Sequence, residues 1–185
     1  MNHLPDTQTL LFGLIAVALA ISFVTDLKSQ LIYNWVTFPT MGLALLIRLA
    51  LGGWGTVLNG WGLASGLVGL AVGFGFFLIP YLFGGGVKEG DVKLAGAVGA
   101  AVGFPVVVAC LVCTTLIGGL EAVLYLIWKG KLFRTLWKMV LYVGHRIRVV
   151  QQRPELDKDP IPYGVAIAIG TVWGAAWMIR MQDAW

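Results

Sequence analysis

The stretch that decides the fold is residues 92–128, which read VKLAGAVGAAVGFPVVVACLVCTTLIGGLEAVLYLIW. These 37 residues have no polar break, yet as one helix they would extend about 55 Å, too far for a single crossing of a hydrocarbon core about 30 Å thick. Gly103-Phe104-Pro105 is the natural place to turn, because proline ends a helix. The stretch therefore predicts a short membrane helix followed by a long one.

The composition of the whole chain indicates a membrane protein. Of its 185 residues, 58% are hydrophobic and 12% are charged, and this charged share is about half that of a soluble domain. A soluble globular protein and a disordered chain are both excluded. The net charge of +4 is too small to indicate a nucleic-acid partner, and we predict none.

Further apolar runs bring the predicted membrane-spanning helices to six. In chain order the runs are Thr9–Val24, Trp35–Leu51, Trp61–Phe83, the two parts of 92–128, and Ile161 to about Arg180. No lysine or arginine precedes the first run, so we interpret it as a retained helix rather than a secretory signal. The prediction is an all-α fold, a polytopic helix bundle forming one transmembrane domain over residues 1–185.

Basic residues predict the orientation of this bundle. With six crossings, the segments 25–34, 84–91 and 129–160 and the adjoining helix ends share one side, and 11 of the 13 basic residues lie there. They are Lys28, Lys88, Lys93, Lys129, Lys131, Arg134, Lys138, Arg146, Arg148, Arg153 and Lys158. By the positive-inside rule this side faces the cytoplasm, and both termini lie outside.

Two further patterns concern helix packing and the membrane surface. Glycines recur four residues apart at Gly62/Gly66, Gly69/Gly73 and Gly99/Gly103, a spacing that lets helices approach closely. Within 129–160, apolar residues recur at helical spacing with basic residues between them. We interpret this segment as a cytoplasmic amphipathic helix on the anionic leaflet, between the fifth and sixth spans; a solvated basic linker is the alternative.

Ionisable side chains at membrane depth are the candidates for chemistry, since each is costly there. Asp26 ends the first span and Asp91 opens the fourth, so both lie at the same depth on the predicted cytoplasmic side. Two carboxylates in one partly dry site share a proton, as an aspartic protease requires. The alternatives are that Asp91 only caps its helix and that Asp26 ends a helix in headgroup water.

Three segments resemble the type IV prepilin peptidase family, membrane aspartic proteases with a Gly-x-Gly-Asp motif. They are Asp26-Leu-Lys-Ser-Gln-Leu-Ile-Tyr-Asn34, Gly90-Asp-Val-Lys-Leu-Ala-Gly-Ala97 and Ile161-Pro-Tyr-Gly164. The resemblance implies that Asp26 and Asp91 are the catalytic pair. It also implies a multi-pass protein of the bacterial inner (cytoplasmic) membrane. Its substrate would be a prepilin-like precursor, cut at the cytoplasmic face between a short basic leader and a hydrophobic helix.

The chain departs from the family pattern in two places. Lys88 replaces the first glycine of the motif, although Gly84-Gly85-Gly86 just upstream could serve as a hinge, and Tyr33 stands where many relatives carry proline. The two-Cys-x-x-Cys methyltransferase module of larger relatives is absent from the sequence. The chain therefore resembles the short, peptidase-only members, such as those that serve tight-adherence pili.

Several residues are expected to support the site. Lys28 and Lys93 each follow an aspartate by two positions and so do not face it; we interpret them as headgroup-level contacts or as a source of positive charge, with a lipid-phosphate anchor as the alternative. Asn34 and Gly90 belong to the family-like segments. Further candidates, for contact with substrate or lipid, are Glu89, Glu121, Arg146 and Arg148. Arg48, near the outer end of its helix, is predicted to snorkel toward the headgroups.

The sequence predicts no cofactor and no metal site. His3 and His145 are far apart in sequence, and Cys110 and Cys113 are too few for a four-thiolate zinc site. Two other function classes remain open beside the peptidase: a proton- or ion-coupled transporter with Asp26, Asp91 and Glu121 as a relay, and an inactive relative that acts as a membrane scaffold.

Overall fold

The computed structural model describes residues 4–58, 62–82, 87–130, 133, 137 and 163–183. Within these residues the chain forms six helices and no strand. The helices are α1 (Leu4–Ser29), α2 (Asn34–Gly52), α3 (Gly62–Leu82), α4 (Glu89–Val102), α5 (Val106–Trp128) and α6 (Tyr163–Asp183). The predicted all-α fold is confirmed for this part of the chain.

Four of these helices are long and apolar enough to cross a membrane: α1 from Gln8 onward, α2, α3 and α5. The apolar part of α6 is shorter, Tyr163–Met178, and α4 has 14 residues. The prediction of six crossings thus stays a prediction for α4 and α6. The chain is nevertheless a membrane protein by the length and composition of its helices.

The chain divides into two compact units, Met1–Gly118 with Pro162–Trp185, and Gly119–Ile161. The first unit holds α1 to α4, all of α6 and the first half of α5. In the second unit, the Lys129 ammonium lies 4.6 Å over the ring of Tyr125. Apart from residues 129, 130, 133 and 137, the predicted amphipathic segment 129–160 lies outside the described residues.

The short helix α4 is the centre of the first unit. Almost every residue from Asp91 to Val102 is buried, and α1, α2, α3 and α6 all pack against it. Its closest neighbour is α3, whose buried stripe is largely glycine. A Cβ at Gly69 would overlap the carbonyl of Gly99, and one at Gly73 would overlap the carbonyl of Ala95. The close approach predicted from the glycine spacing is confirmed here.

The predicted turn between the fourth and fifth helices is also confirmed. Gly103 follows the last residue of α4 with a φ of 73°, and α5 begins at Val106. The Ser65 hydroxyl on α3 donates to the Phe104 carbonyl over 2.9 Å and accepts the Phe104 N–H at 3.0 Å. These bonds satisfy the backbone groups of Phe104, which lies in the turn between the two helices in a water-poor interior.

The prediction that Arg48 snorkels to the headgroups is wrong. Its side chain is 2% exposed and turns inward to the end of α4. Nε donates to the Ala100 carbonyl and Nη2 to the Ala101 carbonyl, both over 2.8 Å, and Nη1 donates to the Gly62 carbonyl over 3.3 Å. The last carbonyls of a helix lack intrahelical donors and carry partial negative charge, so a guanidinium satisfies both needs at once.

Candidate active site

A cavity of about 440 Å³ opens where α1 ends and where α2 and α4 begin. Both predicted catalytic carboxylates line it, together with most of the predicted supporting residues. The lining consists of Asp26, Gln30, Leu31, Ile32, Tyr33, Asn34, Lys88, Glu89, Gly90, Asp91 and Lys93. Segments 26–34 and 88–93, which are 54 or more residues apart in the chain, therefore form one site.

Asp26 reaches this cavity because it continues the buried face of α1. Leu11, Ile15, Ala18, Ser22 and Asp26 are buried at spacings of three and four residues, which is one side of a helix. The Asp26 side chain is 1% exposed, so the alternative that it ends a helix in headgroup water is wrong.

The first turn of α6 holds the Asp26 carboxylate. The backbone N–H of Gly164 donates to Asp26 Oδ2 over 2.8 Å. Free N–H groups at a helix N-terminus stabilise negative charge, both by hydrogen bonding and through the helix dipole. A Cβ at position 164 would lie only 2.7 Å from the same oxygen, so a glycine is needed for this approach.

Asp91 lies in the first turn of α4 and is also 1% exposed. Its Oδ2 accepts the backbone N–H of Lys88 at 2.9 Å, and its own N–H donates to the Lys88 carbonyl over 3.1 Å. The alternative interpretation of Asp91 as a helix cap therefore describes a real contact. It does not compete with a chemical role, because the same carboxylate also lines the cavity.

The charges of the two carboxylates and of one lysine act on one another. Asp26 and Asp91 are near enough for their charges to interact, and the charge of Lys88 acts on both. The Lys88 ammonium lies 2.9 Å from the Gln30 carbonyl oxygen, in the link that follows α1. The positive charge expected from Lys28 or Lys93 is thus supplied by Lys88.

Lys93 instead belongs to a cluster at the rim of the cavity. Its Nζ donates to Asn34 Oδ1 over 3.0 Å, pairs with Glu89 and lies 5.3 Å from the centre of the Phe38 ring. This cluster joins the start of α2 to the start of α4. Asn34 and Lys93 therefore support the wall of the cavity. Glu89 is exposed and its carboxylate is occupied by Lys93.

The other predicted residues have different outcomes. Gly90 lines the cavity and packs against Ile32: a Cβ at position 90 would lie 2.8 Å from the Cβ of Ile32. Lys28 is exposed and is not part of the cavity wall. Glu121 lies on α5 within the second unit, and its role stays a prediction. Arg146 and Arg148 lie outside the described residues.

Sequence reasoning missed Gln30 and Gly164 as site residues and treated Lys88 only as a departure from a motif. Gly164 did carry a signal, because it ends the third family-like segment, Ile161-Pro-Tyr-Gly164. Gln30 lies within the first family-like segment, but its residue type carries no signal of its own, since its role comes from its backbone carbonyl. Among the described residues, no three His, Cys, Asp or Glu side chains are grouped so that they could hold a metal ion.

Comparison with known proteins gives one match. The model of the type IV leader peptidase family matches residues 13–127, which include Asp26, the α4 motif and the whole cavity wall. No curated protein and no solved structure matches the chain.

Proposed function

The chain belongs to the type IV leader peptidase family, and from this premise we propose that it is an aspartic endopeptidase that uses Asp26 and Asp91. That it is a peptidase follows from the family. The aspartic mechanism is supported above all by one observation: two almost fully buried carboxylates, carried by different helices, line a single cavity of about 440 Å³.

The geometry supports the following reaction. A water molecule in the cavity loses a proton to the ionised aspartate while its oxygen attacks the carbonyl carbon of the scissile peptide bond. The protonated aspartate donates a hydrogen bond to the carbonyl oxygen and stabilises the charge that develops there. The C–N bond of the tetrahedral intermediate then breaks, and the leaving amine takes up the proton that the first aspartate accepted from water, which returns that aspartate to its ionised form. Burial of both carboxylates favours the required state, in which the pair holds one proton.

The proposed substrate is a prepilin-like precursor with a short basic leader and a hydrophobic helix. Exposed apolar side chains surround the cavity: Leu31 and Tyr33 line it, and Trp35 and Phe38 follow on α2. They offer a surface on which an apolar helix could pack within lipid while its first residues enter the cavity. The positive-inside pattern favours a cytoplasmic position for this end of the bundle in the inner membrane.

The test is cleavage of a prepilin-like precursor by the purified protein in detergent. Asp26→Asn and Asp91→Asn should each lower the rate at least about 1,000-fold, since neither amide can take part in the proton exchange. Asp6→Asn is the matched control. Asp6 lies 20 residues before Asp26 on α1, about 30 Å away along the helix, and this variant should cleave normally.

The same variants separate the competing functions. A transporter would move protons into liposomes in an Asp26- and Asp91-dependent way without any proteolysis. An inactive scaffold would cleave nothing even as the unmodified protein. Normal cleavage by either asparagine variant would exclude the paired-carboxylate mechanism, whichever substrate is used.

A further inference from the structure

Lys88 contacts both sides of the candidate active site. Its Nζ lies 2.9 Å from the Gln30 carbonyl oxygen and 3.5 Å from Gln30 Oε1, in the link after α1. Its backbone N–H donates to Asp91 Oδ2 over 2.9 Å at the start of α4. One residue is therefore bonded to the aspartate of one helix and to the segment that follows the aspartate of the other.

The connection continues through Gln30 to Asp26. The Gln30 N–H donates to the backbone carbonyl of Asp26 over 2.9 Å, which closes the last turn of α1. Gln30 has a φ of 51°, a left-handed conformation that side chains other than glycine rarely adopt. This turn directs the Gln30 carbonyl to the Lys88 ammonium. Three hydrogen bonds in series thus connect Asp26 to Asp91 by way of Gln30 and Lys88.

The charge of Lys88, like its hydrogen bonds, helps to hold the two aspartates near each other. The side chain is half-buried, and the charges of both aspartates interact with it. Two carboxylates that face one cavity repel each other when both are ionised, and a nearby ammonium offsets that repulsion. A glycine at position 88, as in the family motif, would supply neither the charge nor the bond to Gln30.

We propose that Lys88 is a positioning residue, which fastens the end of α1 to the start of α4 and so holds Asp26 and Asp91 across one cavity. The fastening itself is a property of the fold and can be measured without a substrate. Only its effect on catalysis rests on the proposed function. Lys88, by which this chain departs from its family's motif, would thus have a structural use of its own.

Amide hydrogen exchange tests the fastening in the intact protein. In Lys88→Met, the amides of Gln30 and Lys88 should exchange about fivefold faster, the factor that one net hydrogen bond represents. Lys88→Arg keeps a cationic donor and should stay within about twofold of the unmodified protein. Arg180→Met, which removes an exposed charge from the far end of α6, is the control and should change neither amide. Unchanged exchange in Lys88→Met would overturn the inference.

Cleavage kinetics test the consequence for the site. Lys88→Met and Lys88→Gly should each lower kcat about tenfold with little change in KM, because the carboxylates lose their relative position while the substrate surface is kept. Lys88→Arg keeps a cationic donor and should retain most of the kcat of the unmodified protein. Equal kcat in Lys88→Gly and the unmodified protein would contradict the positioning role.

The two proposals fail in different ways. If the unmodified protein does not cleave a prepilin-like precursor, the proposed function is contradicted, and the exchange rates still decide whether Lys88 fastens the two helices. If the unmodified protein cleaves and Lys88→Met changes neither exchange nor kcat, the proposed function stands and this inference is wrong. Thermal unfolding of each variant identifies any that lose activity because they do not fold.

Discussion

Gly164 donates its backbone N–H to Asp26 Oδ2 over 2.8 Å, although 138 residues separate the two positions. The bond places the first turn of α6 against the last turn of α1. One proposed catalytic carboxylate therefore has a helix N-terminus directed at it, while the other, Asp91, lies in the first turn of its own helix. Asp91 thus lies at the positive end of its own helix dipole, whereas Asp26, which itself lies in the last turn of α1, faces the positive end of α6. A helix N-terminus stabilises negative charge within a poorly hydrated bundle.

Gly164→Ala should inactivate the enzyme without unfolding it. The new methyl group would lie 2.7 Å from Asp26 Oδ2 and 3.0 Å from Asp26 Cβ, so the carboxylate or the start of α6 must move. A displacement of about 1 Å at a catalytic group can lower the rate about 100-fold, and we expect a loss of that order in kcat. The measurement is precursor cleavage together with thermal unfolding in detergent.

Gly13→Ala is the matched control for this prediction. A Cβ at Gly13, on α1, meets nothing within 4 Å, and alanine favours a helix more than glycine does. This variant should keep full activity and be at least as stable as the unmodified protein. Full activity in Gly164→Ala would show that the Asp26–Gly164 contact is not needed for the reaction.

The helices could be predicted from the sequence, and the contacts between them largely could not. Apolar length and Pro105 were enough to divide residues 92–128 into a short and a long helix, because these are local properties. The partners of Asp26 and Lys88 lie 138 and 58 residues away, and no periodicity indicates such pairs. Arg48 is predicted to snorkel, and its inward direction becomes plain only from the structure, in which it follows the buried Thr40 and Ala44 at four-residue spacing on one face of α2.

Removal of the Arg48 guanidinium should destabilise the bundle. In Arg48→Met the carbonyls of Ala100 and Ala101 would keep their burial and lose their donors, at a cost of about 2–4 kcal/mol in the free energy of unfolding. Arg48→Lys keeps the charge but cannot reach both carbonyls in the same planar geometry, so it should recover only part of this loss. Thermal unfolding in detergent measures both variants.

The control for Arg48 is Arg180→Met, because Arg180 is exposed in the last turn of α6. Its loss should change the free energy of unfolding by less than about 0.5 kcal/mol. If Arg48→Met were equally mild, the three carbonyl contacts of Arg48 would contribute little to stability.

The basic segment 129–160 should bind anionic membranes if it forms the predicted amphipathic helix. A peptide of residues 129–153 should partition into vesicles that contain anionic lipid, and replacement of both Arg146 and Arg148 by glutamine should weaken this about 30-fold, at about 1 kcal/mol per charge. Equal partitioning of both peptides, or no preference over neutral vesicles, would favour the alternative of a solvated linker. In the whole protein, the same replacements should leave the detergent cleavage rate unchanged.

The glycine face between α3 and α4 gives the last prediction. Gly69→Ala and Gly75→Ala add the same methyl group to the same helix, and alanine has the same intrinsic helix preference at both positions. At Gly69 the added Cβ would overlap the Gly99 carbonyl, whereas at Gly75 it meets nothing within 4 Å. We expect Gly69→Ala to lower the free energy of unfolding by about 1–3 kcal/mol, because the added methyl group overpacks the interface. Gly75→Ala should have no destabilising effect, and thermal unfolding in detergent measures both variants. Because Asp91 lies in the first turn of the helix that the new methyl group on α3 would displace, Gly69→Ala should also reduce cleavage. Equal stability of the two variants would mean that α3 and α4 can separate freely and that this contact does not fix the position of Asp91.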